Sequence, residues 1–301
     1  MKVTAPTEDR HPGSTSIDSA STLEVLRLLN DEDATVAGAV AQLLPELALV
    51  VDRAVRAIRA GGRVHYFGAG TSGRLAVLDA AELLPTFNAP DGMFVAHHAG
   101  GERALLRAVE NVEDDVDAGR AEAGSVAAGD VVIGLTASGR TPFVGGALQR
   151  ARELGAVTAL VTSNPLPVLA AHADHVLVAD TGPEVLTGST RLKAGTAQKL
   201  VLNSFSTAVM TRLGRTWSNL MVDLVATNAK LRGRVLRILQ EAAGADEATA
   251  RAALERAGGE LKPALLSLLA GIDTDTAREA LADHDGSVAE AIVAVRAARP
   301  A

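Results

Sequence analysis

The sequence predicts an α/β fold: a doubly wound parallel sheet flanked by N-terminal helices, with a small all-α appendage at the C-terminus. Two observations carry the prediction. Short apolar runs at Val64 to Phe67, near Met93 to Ala96, at Asp130 to Leu135, Val157 to Val161 and His175 to Val178 alternate with helical stretches. Strands separated by helices pair in parallel and bind ligands at their carboxyl ends. The other observation is that after Asn228 no further strand pattern occurs and the chain reads as helix.

Residues 1 to about 20 are expected to form an irregular arm. Ser21-Thr22-Leu23-Glu24 then opens a helix, with a hydroxyl cap and an acid three residues on. A second helix is expected from about Ala34 to Ala60, ended by Gly61-Gly62. Val64 to Phe67 stops at Gly68, as a buried parallel strand does before a ligand loop. A long helical stretch runs from about Thr190 to Leu213. Beyond it a 27-residue repeat appears: Thr249-Ala250-Arg251-x-Ala253-Leu254 with Gly259-x-Leu261 returns as Thr276-Ala277-Arg278-x-Ala280-Leu281 with Gly286-x-Val288. Each copy is a helix, a glycine break and a second helix, too small to bury its apolar face alone. The organisation expected is therefore 1–60 for the arm and first helices, 61–235 for the sheet domain and 236–301 for the helical repeat.

Composition excludes several functions. With 29 Lys+Arg against 36 Asp+Glu in 301 residues, the formal charge of −7 offers nucleic acid no broad basic face. The absence of cysteine excludes disulfides, thiolate metal sites and cysteine nucleophiles. The first thirteen residues are polar and do not read as a signal peptide, and no window approaches the roughly 20 apolar residues of a membrane span. A soluble, cytoplasmic chain is expected.

Three strand ends carry hydroxyl-rich loops: Gly68 to Arg74 (GAGTSGR), Thr136 to Thr141 (TASGRT) and Thr187 to Arg191 (TGSTR). Glycine admits an anion close to the backbone, hydroxyls donate to it, and the following helix presents its positive end. Together they form a phosphate cradle, although serine or threonine in any single loop fits a helix cap equally well. The first loop also satisfies GxGxxG at Gly68, Gly70 and Gly73, but the next strand ends in His97-His98 rather than the acid a dinucleotide ribose requires. GxxxxGK[ST] is absent.

The segment GAGTSGRLAVLDAAELLPTF at 68–87 resembles the N-acetylmuramic acid 6-phosphate etherases of the sugar isomerase (SIS) superfamily. The likeness continues through Thr7-Glu8, Ser21 to Glu24, Asn30 to Asp33, ASGRTPFV at 137–144, TGSTRLKAGTAQKLVLN at 187–203 and NLMVDLVATNAKL at 219–231. The resemblance implies that residues 61–235 form a SIS domain. It implies a homodimer with sites at subunit interfaces, acting on a phosphosugar without metal or redox cofactor and giving N-acetylglucosamine 6-phosphate and D-lactate. It also implies Glu82 as proton donor and Glu113 as the second catalytic carboxylate.

That reaction needs an acid and a base: a proton leaves C2 beside the opened aldehyde, lactate departs from C3, and water adds. Glu82 is expected near the C-terminal end of its helix, before Pro85, with Asp79 one turn earlier; the helix terminus and the like charge of Asp79 would both raise its pKa. From spacing alone Glu82 equally suits an exposed helix end. Glu113 lies in the acidic run Glu110 to Asp115, which reads as a solvated face, a divalent-metal patch or a tuned base. Phosphate and sugar contacts are expected from Ser72, Ser138, Thr141, Ser189 and Thr190, with Thr71 a further candidate. Arg74, Arg140, Arg191 and Lys193 could neutralise the phosphate or pair with acids. Ala81, Leu83, Thr190 and His11 depart from the family's usual residues. His65 reads as a satisfied strand residue, and the group that opens the sugar ring is unassigned. The competing readings are an aldose–ketose isomerase and a non-catalytic phosphosugar sensor with the helical repeat as a docking module.

Overall fold

The structure is a computed structural model and describes residues 5–107, 109–223 and 229–298; the stretch 224–228 of the NLMVDLVATNAKL segment lies outside them. The chain forms two compact units, Met1–Ala80 with Asp91–Ser206, and Ala81–Pro90 with Thr207–Ala301.

In the first unit the N-terminal arm is more ordered than its polar sequence suggests. Three 3-10 turns, Pro6–Glu8, Pro12–Ser14 and Ile17–Ser19, are pinned by long-range bonds: Gly188 N donates to Thr7 O at 3.0 Å and Ser14 Oγ to Val185 O at 2.7 Å. Helix α1 (Thr22–Asp33) starts on the expected capping box, with Ser21 N donating to Glu24 at 2.7 Å and Glu24 N to Ser21 Oγ at 3.4 Å. Helix α2 (Val36–Arg59) packs on the sheet through Val40, Leu43, Leu47, Val50 and Val51. The stretch Thr22–Arg59 contains an 18-residue window of mean hydropathy 1.7, apolar enough by length and composition to cross a membrane, contrary to the expectation from the sequence. About a third of that window is buried within the chain, where α2 covers the sheet, as an amphipathic helix does.

The sheet is β1 (Val64–Gly68), β2 (Phe94–His98), β3 (Val131–Leu135), β4 (Val157–Thr162) and β5 (His175–Val178), all parallel, in the order β2-β1-β3-β4-β5. All five expected strands are present. Tyr66 stands opposite Ala96 and Ile133, and every residue of β1 and β3 is buried. Side chains alternate along a strand, so Tyr66 and Phe67 serve opposite faces. Phe67 lies 6.3 Å from Phe143 of α6 (Pro142–Glu153), and Tyr66 lies 6.3 Å from Phe205 of α7 (Lys193–Arg212), so helices cover both faces. Asp79 of α3 (Gly70–Phe87) accepts from the Tyr66 hydroxyl and from Ser206 Oγ, each at 3.0 Å. Burial, and next the Asp79 charge, push the Tyr66 phenol far above its ordinary range, so it remains a donor. Between β2 and β3 come α4 (Gly101–Leu106) and α5 (Val116–Glu122).

Helix α3 does not stop before Pro85, as the sequence suggested, but runs to Phe87. Proline has a helical φ and forfeits only its own N–H bond; Asn88 N still donates to Leu84 O at 2.9 Å. Glu82 therefore stands five residues before the helix end, outside the last turn, where a helix dipole acts most strongly.

The second unit gathers more of the chain than the repeat alone. It includes a two-stranded ribbon, β6 (Thr216–Trp217) with β7 (Leu220–Met221), and α8 (Ala229–Ala243). The repeat forms α9 (Glu247–Arg256) with α10 (Leu261–Ala270), then α11 (Thr274–Ala282) with α12 (Val288–Ala297). The helix caps repeat at the same interval: Asp246 accepts from Thr249 N at 2.7 Å and Asp273 from Thr276 N at 2.9 Å. Gly259 (φ +89°) and Gly286 (φ +74°) make the breaks in the left-handed region that glycine tolerates. Leu261, Leu265, Ala277, Leu281, Val288 and Ile292 share one core with Leu239, so the two copies bury each other's faces.

Candidate active site

The carboxyl ends of β1 and β3 and the segment after β5 converge on one cavity of about 520 Å³. From the first loop it takes Thr71 and Ser72, from the second Ser138 and Thr141, and from the third Thr190. Glu113 and Asp114 line it as well, with Arg140 and Glu8. Five of the six hydroxyl residues expected from sequence are thus brought together, along with one of the two expected carboxylates. Ser189 does not line the cavity; its backbone N–H bonds Leu186 O at 2.9 Å. Glu82 is exposed on α3 and is not among the lining residues.

Each loop has a local reason for its shape. In the first, a side chain on Gly73 would meet Gly68 O and the His98 ring at 2.5 Å, so two glycines let strand and helix touch where α3 begins. His98 holds the same turn, its ring nitrogens facing Ala99 O at 2.8 Å and Gly70 O at 3.2 Å. In the second loop Thr136 Oγ1 meets Thr141 Oγ1 at 2.7 Å and Ser138 Oγ at 3.3 Å, and Arg140 N donates to Ser138 Oγ at 3.3 Å. Buried Asn164 donates to Ser138 O at 2.8 Å, and Thr162 Oγ1 to Ala137 O at 3.1 Å, fixing the loop from β4. Pro142 takes the first position of α6, where its missing N–H is harmless. The third loop leads into α7, whose first N–H groups are capped by Glu184: Lys193 N and Ala194 N donate to its carboxylate at 2.9 and 3.0 Å.

The cations divide. Arg140 lines the cavity. Arg74 instead clamps α4, donating to Leu105 O at 2.9 Å and Ala104 O at 2.7 Å. Lys193 is buried against Glu32 at 2.7 Å, a bond that holds the Glu32 carboxyl below its ordinary range. Arg191 is exposed.

Glu113 sits in a 3-10 turn, Val112–Asp114, directly before α5, and Asp115 caps that helix by accepting from Ala118 N at 2.8 Å. A side chain on Gly119 would overlap Phe143 O, and one on Gly146 would overlap Val116 O. These two glycines seat α5 against α6, the helix that starts at the second loop, and so fix Glu113 relative to the hydroxyls. Among the described residues the Glu113 carboxylate makes no hydrogen bond or ion pair, as suits a group kept for a ligand. Among those residues no group of three His, Asp or Glu side chains is placed to hold a metal.

His65 is buried in β1, its Nδ1 3.1 Å from His97 Nε2 and its Nε2 3.3 Å from Asp130. Burial first, and His97 next, hold its pKa below the ordinary imidazole value; it is a strand residue as expected, but its Nε2 is buried without a hydrogen-bond partner among the described residues, so it is not fully satisfied. Sequence reading missed Glu8, which lines the cavity, and Glu184, which caps the helix after the third loop. Glu8 was visible only as part of a matching segment, and Glu184 stands in an unpatterned loop whose partners come from the helix after it.

Comparison with known proteins places the chain in a family. A family model for the SIS domain matches residues 104–208, and one for the glucokinase regulatory protein N-terminal SIS domain matches residues 46–152. Among solved structures, a phosphoheptose isomerase from Francisella tularensis superposes with a TM-score of 0.51 at 19% identity, covering 64% of this chain and 100% of that one, a likeness of fold alone. Curated relatives are much nearer. The N-acetylmuramic acid 6-phosphate etherase of Thermobifida fusca is 61% identical over 268 residues, 89% of this chain and 88% of its own. That of Pectobacterium atrosepticum is 53% identical over 269 residues, 89% of each chain. With this identity along most of its length, the chain belongs to the N-acetylmuramic acid 6-phosphate etherase family.

Proposed function

We propose that the chain cleaves the D-lactyl ether of N-acetylmuramic acid 6-phosphate, a carbon–oxygen lyase reaction giving N-acetylglucosamine 6-phosphate and D-lactate. The observation that carries this reading is the cavity itself, where hydroxyls from three loops and the starts of α3 and α6 meet a carboxylate with no protein partner. The hydroxyls and helix ends suit the phosphate. Glu113 is the base that takes the C2 proton once the sugar is open, because an unpaired carboxylate on the cavity wall is free to accept it. Glu82 is the acid that protonates the departing lactyl oxygen; water then adds to the unsaturated aldehyde.

The proposal includes a homodimer. Helix α1 buries none of its residues within the chain, and Leu23 and Leu26 are 55% and 58% exposed. Such a face suits a second copy. In a dimer with sites at the subunit contact, an exposed glutamate on α3 is open to substrate. A sugar phosphate is charged and does not diffuse through a bilayer, which supports a cytoplasmic location.

The test is incubation with N-acetylmuramic acid 6-phosphate in deuterated water, with lactate assayed enzymatically and C2 deuterium by mass spectrometry. Wild type is expected to release lactate. Glu82→Ala should lose lactate release by about 100-fold or more while still exchanging C2, and Glu113→Ala should lose both. Near-normal release by Glu82→Ala, or normal exchange by Glu113→Ala, removes that residue from its role.

A further inference from the structure

Besides Glu113, two carboxylates on the cavity wall, Asp114 and Glu8, have no part in the reaction as written, and Glu8 comes from the N-terminal arm. Glu8 ends the 3-10 turn Pro6–Glu8 and lines the cavity beside Gly188 and Thr190. The arm that carries it is fastened on both sides. Before it, Thr7 is wholly buried and accepts from Gly188 N at 3.0 Å; after it, Ser14 bonds Val185 O, and His11 lies 3.0 Å from Glu32, which in turn holds Lys193. The backbone at Glu8 is thus tied to the segment that carries the third hydroxyl loop.

The side chain itself is left over. Among the described residues its carboxylate makes no hydrogen bond or ion pair. Its Oε2 lies 3.2 Å from where a Cβ on Gly188 would stand, and Gly188 has φ +74°, so only glycine leaves this space without strain. A carboxylate beside an anion cradle repels phosphate, even with Arg140 and the helix starts on the same wall to favour the anion, and Glu8 itself has no donor among the described residues. A ligand with hydrogen-bond donors next to its phosphate offsets that repulsion, and a sugar hydroxyl is such a donor.

We infer that Glu8 is a substrate-contacting residue, whose carboxylate accepts a hydrogen bond from a hydroxyl of the phosphosugar and so makes the cavity prefer a sugar phosphate over bare phosphate. The inference rests on reading the cavity as a phosphosugar site. Its chemistry is binding alone, with no bond made or broken by Glu8.

The test compares two probes on the full-length protein by calorimetry, N-acetylglucosamine 6-phosphate and inorganic phosphate. In Glu8→Ala the dissociation constant of the sugar phosphate should rise about 10- to 100-fold, with a smaller rise in Glu8→Gln, which keeps one acceptor oxygen. Inorganic phosphate should bind as in wild type or more tightly. Equal weakening of both probes would assign Glu8 to holding the arm instead, and an unchanged sugar phosphate constant would remove it from the site. Glu8→Gln keeps the side-chain shape and serves if the alanine variant fails to fold. Wild type that releases no lactate overturns the lyase reading alone, because the binding comparison needs no turnover.

Discussion

Glu184→Gln is the perturbation whose size follows most directly from the structure. Glu184 is wholly buried, and its two oxygens accept from Lys193 N and Ala194 N at 2.9 and 3.0 Å, closing the start of α7. Glutamine has the same shape but one acceptor oxygen, so its amide NH₂ must face one of the two backbone donors. A buried donor left without a partner costs about 1–3 kcal/mol. Taking about 2 kcal/mol, and about 2–4 °C per kcal/mol for a unit of this size, the melting temperature should fall by about 4–8 °C. Glu184→Ala removes both acceptors and leaves a hollow, and should lose more.

The pH dependence gives an independent sign. Burial, the largest effect, raises the Glu184 carboxyl above its ordinary value of 4.5, while the bonds from Ala194 and Lys193 pull it back in part. The folded state therefore binds this proton more tightly than the unfolded chain does. Its contribution to stability is full below about 4.5 and is lost as pH rises through the folded value. The stability difference between wild type and Glu184→Gln, followed by urea denaturation, should be largest in acid and shrink toward neutrality. A melting temperature unchanged within about 1 °C would show that the carboxylate does not cap α7. A difference that grew with pH would show that the hydrogen bonds outweigh burial.

Two further outcomes are expected. Gly119→Ala drives a methyl into Phe143 O, and should cost about 1–3 kcal/mol in urea denaturation and lower turnover by shifting Glu113; Gly124→Ala, with nothing within 4 Å of the new atom, should be close to neutral. Leu26→Asp on α1 should convert the proposed dimer to monomer by light scattering with little change in the melting temperature of the isolated chain; a mass unchanged from wild type would remove α1 from any subunit contact.

Periodicity and local chemistry determined much of this protein without any fold in hand. The five strands, the capped start of α1, the glycine breaks and the 27-residue repeat are all local: each depends on residues within about a turn or a strand length. The hydroxyl loops at the ends of β1 and β3 were likewise readable, because parallel strands must place their carboxyl ends on one side, whereas the third, Thr187 to Arg191, begins nine residues beyond the end of β5 rather than at a strand end. The roles proposed for Glu82 and Glu113 came from resemblance, since an acid at the surface has the same pattern whether it is solvated or catalytic.

Only the tertiary structure decided which polar groups remain available to a ligand. From sequence Arg74 and Lys193 could either neutralise the phosphate or pair with acids; in the fold Lys193 pairs with Glu32, and Arg74 is taken by α4 carbonyls. Glu8, 180 residues from Gly188 in the chain, reaches the cavity because the arm is tied to the segment after β5. Helix α3 passes through Pro85 because the proline forfeits only its own N–H bond and the next turn still closes, Asn88 N donating to Leu84 O. Sequence spacing specifies where an element begins and which face it buries. Partners for a charged or hydroxyl side chain come from segments far apart in the chain, so their competition for each group is settled only when the fold has closed.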